Sequence, residues 1–179
     1  MVRRVQRGYT LVEVLVTVTI LGIMGVLVIP SLDQTGILRT HAAVRSVISD
    51  LTYAQSDALA YQEGRAVLFD PDNNEYTLLN VTGPTIDPAT DALFDNKGPG
   101  NRYVVTLNDD RFGGARFENV DFNSGTLLIF DELGGPIAAP SSSELSTGGS
   151  LDIVGGDGTR FRIDVAAFTG RIRVSQVDD

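Results

Sequence analysis

The apolar residues divide the chain into three stretches with different periods. From Val14 to Leu32 there is no charge, and Val, Leu and Ile dominate. At ~1.5 Å rise per residue, a helix of that length crosses the hydrocarbon core of a bilayer. From Ile37 to Gln62, apolar residues recur at Val44, Val47, Ile48, Leu51, Ala54, Ala58 and Tyr61. That spacing, close to 3.6, predicts a second helix with one buried face. Pro30 removes a backbone hydrogen bond and predicts a kink, with Gly36 a second soft point. Gly64 is the expected stop. The small residues Ala54, Ala58 and Ala60 allow a sheet to approach the helix closely.

Beyond Gly64 the period becomes two. Arg65 to Asp70 and Glu75 to Val81 flank Pro71-Asp72-Asn73-Asn74, a turn composition, and so predict a β-hairpin. Further strands are expected at Arg102 to Leu107, Arg116 to Phe122, Thr126 to Phe130, Ser150 to Val154, Arg160 to Ala166 and Arg171 to Val174. Thr82 to Asn101, rich in Pro, Gly and polar residues, reads as a long surface loop. Gly134-Gly135-Pro136 and Ala139 to Gly149 read as a turn and a Ser-rich loop, and Asp157-Gly158 as a hairpin turn. The fold class is therefore α+β: a long kinked amino-terminal helix, its first half transmembrane, its second half packed against an antiparallel β-sheet domain.

Charge sets the orientation. Arg3, Arg4 and Arg7 precede the apolar run and Asp33 follows it. Basic residues stay on the cytoplasmic side, so the carboxyl-terminal part faces outward, which in a bacterium is the periplasm. An ordinary secretory signal would carry its cleavage site after the apolar core. Here Pro30-Ser31-Leu32-Asp33-Gln34 suits that poorly, while the small residue Gly8 lies before the core. Glu13 is the anomaly, because a carboxylate within a spanning segment costs roughly 2–3 kcal/mol without a partner. A cut after Gly8 would give Tyr9 a positive α-amino group one helical turn away, each charge neutralising the other. Alternatively, Glu13 sits at headgroup level and favours the positive end of the helix dipole.

At 179 residues the chain suits one soluble domain and its anchor. It has no Cys, which excludes disulfides, thiolate catalysis and Cys-ligated metals. The formal charge of −9 argues against strong nonspecific nucleic-acid affinity.

The stretch Gly8-Tyr9-Thr10-Leu11-Val12-Glu13 resembles the class III signal of type IV pilins and type II secretion pseudopilins, with Tyr9 where Phe is usual. Ala54-Gln55-Ser56-Asp57-Ala58, Phe130-Asp131-Glu132-Leu133-Gly134 and Thr169-Gly170-Arg171-Ile172-Arg173-Val174 extend the resemblance to the H-type minor pseudopilins and related minor pilins, the GspH/FimT family. The resemblance implies cleavage between Gly8 and Tyr9 by a membrane prepilin peptidase, N-methylation of Tyr9, and pairing of Glu13 with a neighbouring subunit's terminus to set register. It divides the chain into a leader (1–8), a transmembrane and filament-core helix (9–32), an amphipathic periplasmic helix (33–64) and an antiparallel β domain (65–179). The implied protein is a minor pseudopilin of a type II secretion system, single-pass in the inner membrane. It assembles with other pseudopilins through an amino-terminal helix bundle. The alternative is a minor pilin of a pilus or natural-transformation machine that binds DNA.

Period two places Arg160 and Arg162 on one strand face and Arg171 and Arg173 on one face of the expected hairpin partner, with Phe161, Ile163, Ile172 and Val174 toward the core. Four guanidinium groups gathered there would suit phosphates or an acidic partner subunit, and Gly170-Arg171-Ile172-Arg173 is similar to the ending of DNA-binding minor pilins. An ordinary solvated face, with Asp152 and Asp164 as neighbours, is the plainer reading. Asp70, Asp72 and Asn74 alternate as calcium ligands would, but the matching Gly and distal carboxylate are missing, so a hairpin turn is expected. His41, the only histidine, lacks the partners of a catalyst and reads as solvated. No nucleophile elbow, phosphate loop, zinc motif or dinucleotide fingerprint occurs. We therefore expect no catalytic residue, metal or cofactor.

Overall fold

The computed structural model describes residues 8–28 and 30–177, without the side chains of residues 25–35. The chain forms two compact units, residues 1–35 and 36–179. Helix α1 spans Leu11–Val28 and helix α2 spans Pro30–Tyr61. Residue 29, beside the kink expected at Pro30, lies outside the described residues, as does part of the apolar run to Leu32. Among the described residues no helix is long and apolar enough to cross a membrane.

In the larger unit α2 presents Ala43, Val44, Val47, Leu51, Ala54 and Ala58 to a single core, as the 3.6-residue spacing requires. The helix ends at Tyr61, before the stop expected at Gly64, because Gln62 takes the left-handed φ of 55°, the conformation that ends a helix. Two antiparallel sheets complete that core. Strands β1 (Gly64–Asp70), β2 (Glu75–Val81), β3 (Val104–Thr106), β5 (Leu127–Phe130) and β6 (Pro136–Ile137) form one sheet in the order β3-β2-β1-β5-β6. Strands β4 (Arg116–Phe122), β7 (Gly148–Val154), β8 (Arg160–Ala166) and β9 (Ile172–Val177) form the other in the order β4-β7-β8-β9. Val67, Phe69 and Leu128 of the first and Leu151, Ile153 and Ile163 of the second meet α2 in one cluster, with Phe69 within 5.6 Å of both Phe117 and Phe122 by ring centroid.

The hairpin β1–β2 pairs Asp70 with Glu75 across the expected turn. Asp70 accepts hydrogen bonds from the Asn73 backbone N–H (3.1 Å) and side-chain amide (2.7 Å). Asn74, at φ 57°, points its amide inward to the Ala115 carbonyl. The Asp-x-Asp-x-Asn pattern thus builds a turn, and among the described residues no cluster of metal-ligating side chains occurs.

Three further features differ from expectation. Pro136 and Ile137 form a short edge strand on β5 where a turn was predicted, a place where proline costs no ladder bond. The Thr82–Asn101 loop is not merely a surface excursion. Its Ile86 and Ala92 pack on Ala66, Leu79 and Ile129, covering the face of the first sheet away from α2. Val174, expected in the core, is 43% exposed. It lies opposite the buried Ile163, but β9 is an edge strand with a neighbour on one side only.

Candidate assembly site

Gly8, Tyr9 and Thr10 precede the first helical residue, and Tyr9 is 83% exposed. The Glu13 backbone N–H donates to the Thr10 hydroxyl at 3.2 Å. This is half of a capping box, Thr-x-x-Glu, in which the threonine satisfies an otherwise unpaired helical N–H. The pattern Thr10-Leu11-Val12-Glu13 carried that signal, and reading Glu13 through its charge alone overlooked it. Downstream, the Thr17 hydroxyl donates to the carbonyls of Glu13 (3.0 Å) and Val14 (2.9 Å), and that of Thr19 to Leu15 (2.8 Å). These polar atoms are satisfied within the helix, so its surface is effectively apolar. Leu11, Val14, Leu15, Val18, Ile20, Leu21 and Ile23 are all exposed. Among the described residues no cation pairs with Glu13.

The four arginines of the β8–β9 hairpin do not gather. An antiparallel hairpin places the start of β8 against the end of β9. Arg160 therefore lies opposite Val177 and Arg162 opposite Ser175, while Arg173 faces Asp164. Arg162 holds Asp152 with Nε to Oδ1 at 2.8 Å and Nη2 to Oδ2 at 3.0 Å. Arg160 lies 2.8 Å from Glu118 and 3.3 Å from Asp152, and Asn119 donates to Asp152 at 2.9 Å. Burial pushes the Asp152 carboxyl up, but the hydrogen bonds from Arg162 and Asn119, with the Arg162 charge, outweigh it and hold the group below the usual carboxylate range. Asp152 is only 1% exposed, so this network belongs to the sheet. Arg171 and Arg173 are exposed at the other end of the hairpin, along a shallow groove with Thr147, Ser150 and Asp164. Among the described residues neither of their guanidinium groups forms an ion pair.

Three segments far apart in sequence converge on Gln55 of α2. Its side-chain amide donates to the Gly134 carbonyl at 2.7 Å and to the Thr169 carbonyl at 3.1 Å. Gly134 and Gly170 have φ of 73° and 61°, and a Cβ on Gly170 would lie 2.6 Å from the Gln55 amide nitrogen. The glycines are there because both backbone turns need left-handed φ and close approach. Two residues on, Asp57 pairs with Arg65 of β1 in a buried contact of 2.5 Å. Helix, β5–β6 turn and β8–β9 turn are thus fixed at one corner. Residues 54–58, 130–134 and 169–174, three of the stretches that carry the resemblance, meet at this corner.

Asp50 was not singled out by its sequence, where it is one acidic residue on a helix. It accepts hydrogen bonds from the hydroxyls of Tyr76 (2.5 Å) and Tyr103 (3.0 Å). Burial lifts its carboxyl above the ordinary range, and the tyrosine hydrogen bonds offset only part of that. His41, expected in solvent, is half-buried and rests its ring 4.7 Å from that of Phe161.

An apolar, capped helix with one carboxylate at its start is joined to a helix-on-sheet α+β unit, and both parts have counterparts among known proteins. A prokaryotic N-terminal methylation motif matches residues 3–29. Type II secretion system protein H of Xanthomonas campestris pv. campestris is 26% identical over 176 residues, covering 96% of this chain and 85% of the relative. Two structures of the minor pseudopilin EpsH from the type II secretion system of Vibrio cholerae share the fold, each with a TM-score of 0.53. The first is 16% identical and covers 77% of this chain and 97% of that one. The second is 13% identical and covers 76% and 95%.

Proposed function

We propose that this chain is an H-type minor pseudopilin subunit of a type II protein secretion system, with a structural and not a catalytic role. The observation that carries this reading is the Gly8–Tyr9 bond: it lies exposed, outside the helix, immediately before a capped helix whose surface is apolar on every side. A prepilin peptidase cuts there, Tyr9 is methylated on its new amino group, and residues 9–32 hold the protein in the inner membrane with the α+β domain in the periplasm. Pro30 lets the helix bend where it leaves the apolar phase. Glu13 is tolerated in lipid only at a cost of roughly 2–3 kcal/mol. Pairing with the Tyr9 ammonium of a neighbouring subunit removes that cost, which favours assembly and sets register. Other pseudopilins are the partners through this helix, and no cofactor is involved.

The alternative of a DNA-binding pilin draws less support, because Asp152 and Glu118 occupy two of the four arginines it would need. Deleting the gene tests the choice. The expected result is folded cargo retained in the periplasm, with export restored by the wild-type chain and not by Glu13→Leu. Normal export with lost pili or lost DNA uptake would overturn it.

A further inference from the structure

The Thr82–Asn101 loop leaves part of the sheet beneath it open. Its Ile86 and Ala92 cover Ala66, Leu79 and Ile129, but beside them a cleft of about 400 Å³ remains between loop and sheet, a size that suits a small ligand. Register builds its floor on the face away from α2: Leu68 of β1 lies opposite Thr77 of β2, which lies opposite Val104 of β3. Pro88 and Pro99 form the wall. That wall is held by backbone bonds from the Asn80 N–H to the Asp91 carbonyl, the Leu93 N–H to the Leu78 carbonyl and the Tyr103 N–H to the Leu93 carbonyl, each 2.8 Å. A Cβ on Gly98 would lie 1.8 Å from the Arg102 carbonyl, so glycine permits the close turn that brings Arg102 to the cleft.

Opposite charges stand at this cleft without meeting. Glu75 and Arg102 both line it and both are half-buried, yet among the described residues neither forms an ion pair. Arg102 donates only its Nε, to the Pro99 carbonyl at 3.4 Å, which leaves the outer nitrogens of the guanidinium for a carboxylate. Asp70, directly across from Glu75, adds a second carboxyl at the cleft, and hydrogen bonds from Asn73 hold it below the ordinary carboxylate range. A purely cationic ligand would face Arg102, and a purely anionic one Glu75 and Asp70. A wholly apolar ligand would take water from all three and return no partner. A cation and an anion at the two ends of an apolar body satisfy every group. We propose that this cleft binds a zwitterion of the amino-acid type, a free aliphatic amino acid or a short peptide with free ends. Glu75 and Asp70 receive the ammonium, Arg102 the carboxylate, and Leu68 and Val104 the aliphatic side chain. The site lies apart from α1 and is independent of the subunit reading above.

Isothermal titration of the full chain in detergent tests this with two probes, free leucine and the tripeptide Ala-Leu-Ala. Each is also supplied acetylated at its amino end or amidated at its carboxyl end. The expected result is saturable binding of at least one unblocked probe, weakened about tenfold by either block, as the loss of one charged hydrogen bond implies. Glu75→Gln should weaken the unblocked probe by the same factor and leave the acetylated one unaffected. Arg102→Gln should weaken the unblocked probe and leave the amidated one unaffected. Tighter binding of leucine or of the tripeptide fixes the length of the ligand, and either supports the site. No saturable binding, blocked probes that bind as well as free ones, or substitutions that weaken free and blocked probes equally overturn the proposal. The blocked probes report on the same charges in the unaltered chain, so the test stands even where a variant folds poorly.

Discussion

Helices α1 and α2 are both rich in apolar residues, and the chain treats them oppositely. In α2 the apolar residues fall on one face and are buried at Val44, Val47, Leu51 and Ala54. In α1 they occur on every face, and the described ones remain exposed. A face can be covered by sheets of the same chain; a whole circumference cannot. Burying a Val, Leu or Ile side chain is worth about 1.5–3 kcal/mol, and the proposed function gives α1 that burial in lipid or against other subunits. The periodicity of α2 thus tells that its partner lies inside the larger unit.

Paired substitutions would break this contrast if it were wrong. Leu51→Ala should cost about 2–5 kcal/mol of domain stability, as truncation of a buried leucine does. Leu15→Ala should leave the unfolding transition unchanged. Urea titration of the full chain in detergent checks both, and equal losses would show that α1 packs on the domain. A smaller effect is expected at the corner. Gln55→Ala leaves the carbonyls of Gly134 and Thr169 without their donor and should cost about 1–3 kcal/mol, with faster amide exchange in the β5–β6 and β8–β9 turns as the readout. Exchange that quickens elsewhere instead would deny that Gln55 fixes those turns.

The smallest effects concern pH and have opposite signs. Asp152 is held below its ordinary value of 3.8, so its contribution is present above that pH and is lost as pH falls through the folded value. Asp50 is raised above 3.8, so the folded state binds its proton more tightly than the unfolded one. Its contribution is largest at low pH and declines as pH rises from 3.8 through the folded value. Asp152→Asn should therefore flatten the loss of stability on acidification, and Asp50→Asn should steepen it. Denaturant midpoints across the acid range check the pair, and a shared sign would refute the assignment.

Much of the fold was legible because period two and period 3.6 are imposed by burial. The β1–β2 hairpin, β4 and β8 lie where alternation put them. The misses have a common physical origin in contacts between distant residues. Val174 alternates correctly, but alternation does not reveal that β9 ends the sheet. Ile86 and Ala92 sit among Pro and Gly, and only the fold shows that they roof Ala66 and Ile129. At the candidate sites, Gly8, Tyr9 and Glu13 are proposed from their local pattern. The division of the arginines depended on Asp152, whose place opposite Arg162 follows from strand register.

The central claim is that the exposed α1 helix belongs to a processed, assembling subunit. Intact mass and amino-terminal sequence of the protein, taken from cells with and without a prepilin peptidase, test it most directly. The account predicts peptidase-dependent loss of residues 1–8 and a methylated Tyr9. A retained leader, or a cut after the apolar run, would contradict it.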